Sequence, residues 1–278
     1  MIDKIYIIWH VERHKDNLIK KIGEFLPNIP YELIKGPDGS EIFDMSGYKP
    51  VENWKQSEGS NPPTYKEYTV DRWNEMAVGD GVFRGRDHKL GELACGIAHH
   101  RAWKRAKEDG VKKALFLEQD AFLNWEDENR VAQGNMLSVK LKNNLDKLEY
   151  YNIDYDMLYV GHDYMATDKE SFIKEEKWCS PLDYDWVVKS NFIYMLHAYI
   201  VTDKGLGVIL DNDYENNLCV ADEWLPALYA PEGNSLVHPS LSHLHGQLKS
   251  YALIPSLIEQ IDKDFSHSGT EFSDYYEE

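Results

Sequence analysis

Residues 4–9 (Lys-Ile-Tyr-Ile-Ile-Trp) are apolar at nearly every position, so a strand made from them has no face suited to water. Such a strand fits a sheet that is covered on both sides, as parallel sheets are. The next residues supply a cover. Leu18, Ile19, Ile22, Phe25 and Leu26 recur at helical spacing over 13–26, and Pro27 stops the run. Tyr31 to Ile34 then read as a second strand, closed by the turn Gly36-Pro37-Asp38-Gly39. A strand, a crossover helix and a second strand make a βαβ unit, which is right-handed as a rule. The expected class is therefore α/β.

The same alternation continues after a gap. Residues 47–88 hold Pro50, Pro62, Pro63, Gly79, Gly81 and Gly85 with no sustained period, and read as a long loop with a short helix near 71–77. Leu90, Leu93, Ala94, Ile97, Ala98, Ala102 and Ala106 form one helical face that Gly110 ends. Ala114 to Leu117 is a short central strand. A helix is expected around 127–148, a strand over 156–161, then a polar loop to about 190. A strand over 192–201, a helix over 204–210, a short helix over 221–229 and a strand over 251–254 complete the regular part. No repeat or composition break marks a second domain, so 1–271 is read as a single domain and 272–278 as an acidic, frayed tail.

Charge and cysteine usage narrow the function classes. The 278 residues carry 48 Asp plus Glu against 30 Lys plus Arg, a net charge of −18, and 42% are hydrophobic. That apolar fraction excludes a disordered acidic chain. The charge disfavours nucleic acid and anionic lipid as partners. Cys95, Cys179 and Cys219 are too few and too scattered for a disulfide framework or a CxxC pair, and read as buried free thiols. The apolar run near the amino terminus is too short for a signal-peptide core, and no segment approaches the ~20 apolar residues of a membrane span. A cytoplasmic protein without a membrane span is expected. GxGxxG, P-loop, GxSxG and HExxH patterns do not occur in the chain.

Four groups of residues are candidates for chemistry. Glu118-Gln119-Asp120 follows the 115–117 strand directly, and ligands of open α/β sheets bind beyond the carboxyl ends of strands. Two carboxylates one residue apart there can face one hard divalent cation. Spacing alone also fits a solvated loop. Asp222-Glu223, before Trp224-Leu225-Pro226, is either a base beside a sugar platform or a pair of charges complementing a helix dipole. The small residues Ala94, Cys95, Gly96 and Ala98 let their helix approach another backbone or a ligand, with close packing the expected role for Gly96. Of the histidines, His243-x-His245 has strand-like zinc spacing but no acidic or cysteine neighbour.

In this order the pieces resemble glycosyltransferase family 25, the family of procollagen and lipooligosaccharide galactosyltransferases. Ile5-Tyr6-Ile7-Ile8 with Arg13 resembles its first strand and arginine. Lys89 to Cys95, then His99 and Trp103, resembles its "KGELGC…SH…W" helix. Leu117 to Asp120 is similar to "LEDD", Asp156 to Gly161 to "DLIYVG", and Ala198 to Thr202 to "AYVIS". Cys219 to Tyr229 is similar to the collagen-type "PVDEFLPVMF", and Ala252 to Gln260 to the terminal strand. Trp9 stands where the family has Asn, and Gln119 where it has Asp, while Glu118 and Asp120 keep an acidic pair.

The resemblance implies a GT-A fold, a Rossmann-like α/β glycosyltransferase domain with a mixed central sheet. It implies Mn²⁺ (with Mg²⁺ the alternative) held by Glu118 and Asp120, and a UDP-sugar donor carrying galactose or glucose. The donor is expected near Ile8, Trp9, Arg13, Gly91, Glu92, Cys95, His99, Glu118 and Gln119. It also implies inversion at the anomeric carbon, with Asp222 or Glu223 as the base and a hydroxyl of a glycan or protein as acceptor. The alternative from another class is a degenerate fold that only binds a nucleotide sugar or glycan.

Overall fold

The computed structural model describes residues 1–10, 12–38, 46–49, 51, 90–123, 136–162, 176–234 and 236–260, with only the backbone described for Arg13, Leu90, Gly91 and Met136. The proposed helix near 71–77, the residues 127–135 and the acidic tail lie outside them. β1 (Lys4–Trp9), α1 (Glu12–Phe25) and β2 (Tyr31–Lys35) come first. Then follow α2 (Leu90–Glu108), β3 (Lys113–Glu118), β4 (Ala121–Phe122), α3 (Met136–Tyr150) and β5 (Met157–Gly161). The short β6 (Cys179–Ser180) and β7 (Val187–Ser190) precede β8 (Ala198–Thr202), α4 (Asp203–Asp211) and α5 (Ala221–Ala227). β9 (Ser250–Leu253) and β10 (Glu259–Gln260) come last, and 3₁₀ turns at Tyr214–Asn216 and Pro239–Leu244 flank α5.

Eight strands form one sheet in the order β2-β1-β3-β8-β5-β9-β7-β6, and β4 pairs with β10 in a second, two-stranded sheet. β1 runs parallel to both β2 and β3, whereas β8 is antiparallel to both its neighbours, β3 and β5. The sheet is thus mixed, with parallel strands on one side and an antiparallel seam through its middle. This is a mixed α/β architecture with a large central sheet, as a Rossmann-like GT-A fold requires.

The apolar pattern of β1 is explained by its two covered faces. Ile5 and Ile7 join Leu115, Leu117, Leu158 and Ile200 under α1 and α3, which bring Leu18, Ile22, Leu141 and Leu145. Tyr6 and Ile8 point the other way, with Phe116, Tyr159 and Tyr199, under Ile97, Ala102 and Trp103 of α2 and Leu206 and Ile209 of α4. Each such side chain, fully buried, contributes roughly 1.5–3 kcal/mol.

Three expectations are corrected. The polar segment before residue 190 contains β6 and β7, a short antiparallel pair on the edge of the sheet. A further strand, β10, lies beyond 251–254. The strand expected over 192–201 begins only at Ala198. Met195 takes a left-handed backbone conformation with φ 76°, which ends any pleated run from Phe192. Residues 196–197 give their backbone groups to the site instead. The β1, α1, β2, α2 and α4 boundaries agree with the pattern to within two residues.

β3 lies on the opposite side of β1 from β2, so the order in which parallel strands are added to the sheet reverses there. At such a point the loops leaving adjacent strands diverge and open a crevice.

Close backbone approach fixes α4 on the sheet. A Cβ on Gly205 would stand 2.4 Å from the Asp156 carbonyl oxygen, whereas one on Gly207 meets only the Lys107 Nζ at 3.7 Å. Gly205→Ala is expected to lose about 1–3 kcal/mol. Gly207→Ala, in the same helix, is expected to gain up to about 1 kcal/mol from helix propensity. Urea unfolding of both variants checks the pair, and equal effects would refute the close approach.

Candidate active site

The carboxyl ends of β1 and β3 carry the acidic triplet. Ile8 pairs with Glu118 in register, so Trp9 and His10 leave β1 beside Gln119. The His10 backbone N–H donates to Gln119 Oε1 at 2.8 Å. Gln119 therefore ties the two diverging loops together, work that an amide does without adding charge. Opposite, the Glu118 N–H donates to the His197 carbonyl at 3.0 Å. The residue just before β8 thereby closes the other wall.

Glu118 is half-buried, and a chain of hydrogen bonds holds it. His99 Nε2 lies 2.8 Å from Glu118 Oε1, and its Nδ1 lies 2.8 Å from the Tyr199 hydroxyl. The Trp103 indole, which can only donate, gives its N–H to the same hydroxyl at 2.8 Å. Tyr199 therefore accepts from Trp103, and His99 links that hydroxyl to Glu118 through its two ring nitrogens. The Cys95 thiol also donates to Glu118 Oε1, at 3.5 Å. Burial alone would raise the Glu118 carboxyl; the His99 hydrogen bond and the His99 and His197 imidazoles outweigh it and hold the group below the usual range.

Asp120 and Asp222 behave in the opposite way. Burial and the Glu118 charge push each up to about 7. Asp120 Oδ2 accepts from Gln260 Nε2 at 2.7 Å, while its Oδ1 is buried with no hydrogen-bond partner among the described residues. Asp222 Oδ1 accepts the Leu196 N–H at 3.0 Å. Three carboxyl groups thus feel one another at one end of the sheet, and two of them resist ionising. Glu223 is buried too, and its charge is felt by Cys219 and Tyr194. Asp222 is the member of the pair whose coupling to Glu118 is resolved.

The other expected contacts fall into place unevenly. Ile8 is buried against the α2 side of the sheet. Trp9 is half-buried, with Lys15 Nζ 4.4 Å and Lys35 Nζ 5.1 Å from its ring centre, and its indole N–H is buried with no partner among the described residues. Glu92 is buried in the first turn of α2. Gly91 opens that helix, and the side chain of Arg13 lies outside the described residues. Gly96 packs as expected: a Cβ there would meet the Tyr214 hydroxyl at 2.3 Å and the Cys219 carbonyl at 3.0 Å. Cys179 and Cys219 are buried free thiols, while Cys95 is half-buried at the triplet. His243 and His245 sit at a 3₁₀ turn rather than on a strand, with His243 exposed.

Three contributors were not singled out from the sequence. Tyr199 and Trp103 lay inside recognised motifs, yet only the fold brings their polar atoms to His99. Gln260 reaches Asp120 across 140 residues, and no local pattern marks it.

A sheet of this topology with carboxylates at its switch point is the architecture of a GT-A type protein. Comparison with known proteins gives the same direction. The chain is 22% identical over 177 residues to procollagen galactosyltransferase 1 of Danio rerio, covering 63% of this chain and 26% of that protein. It is 23% identical over 169 residues to a glycosyltransferase 25 family member of Drosophila pseudoobscura pseudoobscura, covering 59% and 24%. Procollagen galactosyltransferase 2 of Homo sapiens matches over 147 residues at 22%, covering 53% and 21%. The chain thus aligns with about a quarter of the length of these relatives. No family model matches it. Among the described residues no helix is long and apolar enough to cross a membrane.

The raised carboxyls make a signed prediction. The folded state favours the neutral form of Asp222 up to about 7, whereas the unfolded chain ionises it near 3.8. Its contribution to stability is therefore lost as pH rises from about 4 to about 7. Asp222→Asn keeps an oxygen acceptor for Leu196 and removes the titration. Without divalent cations, the variant is expected to gain on wild type between pH 5 and pH 8. The gain should be about 1–2 kcal/mol, below the ~2.6 kcal/mol that an isolated group would give over this interval, because the charge is shared. Denaturant unfolding at both pH values reads it, and a pH-independent difference contradicts the coupling.

Proposed function

We propose that the protein is a metal-dependent, inverting glycosyltransferase that moves a hexose from a UDP-sugar to a hydroxyl of a glycan or protein. The observation that carries this reading is the carboxylate group Glu118, Asp120 and Asp222 at the sheet's switch point. The likeness to galactosyltransferases supports it.

The residues fit a hard divalent cation. Asp120 offers a buried oxygen without a partner among the described residues, Glu118 offers a charged one, and oxygen donors suit Mn²⁺ or Mg²⁺. A dication would also remove the penalty that raises the Asp120 and Asp222 carboxyls. When bound, it would neutralise the diphosphate and make UDP a better leaving group. Glu118 and Asp120 hold it in this reading. Gln119 serves as a loop tie rather than a ligand. Trp9, with an indole N–H to offer, and Glu92, in the first turn of α2, are the residues for donor contact.

Inversion takes one in-line displacement. The acceptor oxygen forms its bond to the anomeric carbon as the bond to the diphosphate oxygen breaks, and a base removes the hydroxyl proton. Asp222 is the candidate. The Leu196 N–H fixes one of its oxygens, and a dication beside it would keep the carboxylate ionised and able to take the proton. Glu223, buried beside it, is the second candidate.

Two measurements test this. Titration calorimetry of UDP with Mn²⁺ should show binding that Asp120→Ala abolishes while the fold is kept; equal affinity in both removes Asp120 from the site. Asp222→Asn should leave UDP and Mn²⁺ affinity nearly unchanged and lower donor turnover by ~10²–10⁴. A proportionate loss of affinity and turnover makes Asp222 a binding residue. Tight UDP binding without hydrolysis or transfer of any UDP-sugar supports the binding-only alternative.

A further inference from the structure

Cys95 and His99 are four residues apart on α2, so both face the end of β3. With Glu118 they form a group in which the thiol sulfur, a ring nitrogen and a carboxylate oxygen all lie within 4.8 Å of one another. We propose that these three side chains bind a borderline-soft divalent cation, with zinc the fitting ion, in a site that shares Glu118 with the all-oxygen pair Glu118 and Asp120. A sulfur and an imidazole select zinc over manganese. Zinc bonds of ~2.0–2.3 Å at tetrahedral angles place ligand atoms about 3.3–3.6 Å apart. Cys95 Sγ and Glu118 Oε1 already stand at 3.5 Å, and His99 Nε2, now at 2.8 Å from that oxygen, has to withdraw by about half an ångström.

The surroundings of His99 allow it to become a ligand without gaining charge. His99 ligates as the tautomer with its single proton on Nδ1, any proton on Nε2 leaving to solvent as the metal bond forms. The Tyr199 hydroxyl, 2.8 Å from Nδ1, can accept that N–H on its second lone pair while still accepting from Trp103. Such a partner on the remote ring nitrogen is the usual support of a zinc-bound histidine. The Cys95 thiol loses its proton to solvent as the thiolate–metal bond forms. Three protein ligands leave the fourth position open. Glu118 belongs to both donor sets, so a zinc ion here draws it from the hard cation; this competition, unlike the zinc site itself, rests on the function proposed above.

Cobalt(II) added to the chelator-treated full chain, with Cys95 otherwise reduced, provides the test. One equivalent should bind and give thiolate-to-cobalt charge-transfer absorption in the near ultraviolet. Cys95→Ser should remove that absorption, with the fold confirmed by circular dichroism. Asp120→Ala should keep it while losing Mn²⁺-dependent UDP binding, which separates failure of this site from failure of the proposed function. Absence of stoichiometric cobalt binding, or the same spectrum in wild type and Cys95→Ser, overturns the proposal.

Discussion

Glu118 leaves the central strand into a half-buried position, and an ionised carboxylate there needs a donor that does not move. His99 provides it, and only because His99 is itself fixed. Its ring is fully buried, its far nitrogen meets Tyr199, and Tyr199 is held by the Trp103 N–H. Trp103 stacks on Trp224 with ring centres 5.9 Å apart, and Tyr214 lies edge-on to Trp224 at 4.6 Å. One aromatic mass thus reaches from the carboxylate on β3, through α2, to the helix that carries Asp222. A shift in that packing moves the acidic triplet and the candidate base together.

The cost of this arrangement falls on the neighbouring carboxyls. Once Glu118 is held charged, Asp120 and Asp222 share its low-dielectric surroundings and rise to about 7. Packing for stability alone would place neutral side chains there. Carboxyls retained against that penalty mark a site where a positive partner completes the charge balance. The left-handed Met195 is a second local cost of the same kind. It turns residues 192–197 out of the sheet so that the Leu196 N–H reaches Asp222 and the His197 carbonyl reaches the Glu118 N–H.

The sequence was most legible where one periodicity repeated over several residues. The doubly apolar β1, the α1 stripe and the small-residue face of α2 follow directly from burial on two sides of a sheet. It was least legible where side chains or backbone serve the site. The run Phe192–Val201 has the composition of a strand from end to end, and nothing in it announces that Met195 breaks the pleat. β6 and β7 were missed for a different reason: two- and four-residue edge strands carry too few side chains to show a period. Of the candidate site, Glu118, Asp120, His99, Cys95 and Asp222 stood in recognisable motifs. The partners that set their protonation, Tyr199, Trp103 and Gln260, are distant in sequence and enter through topology.

Gln119 shows how a departure from a family pattern is read once its contacts are known. A third carboxylate in the middle of the triplet would stand one residue from both Glu118 and Asp120, where the charge already raises one of them. An amide at that place avoids further repulsion, and its Oε1 accepts the His10 N–H, a bond that locks the loop after β1 to the loop after β3. The loops after β1 and β3 are thereby held at fixed spacing. The amide therefore favours order over charge between the two carboxylates.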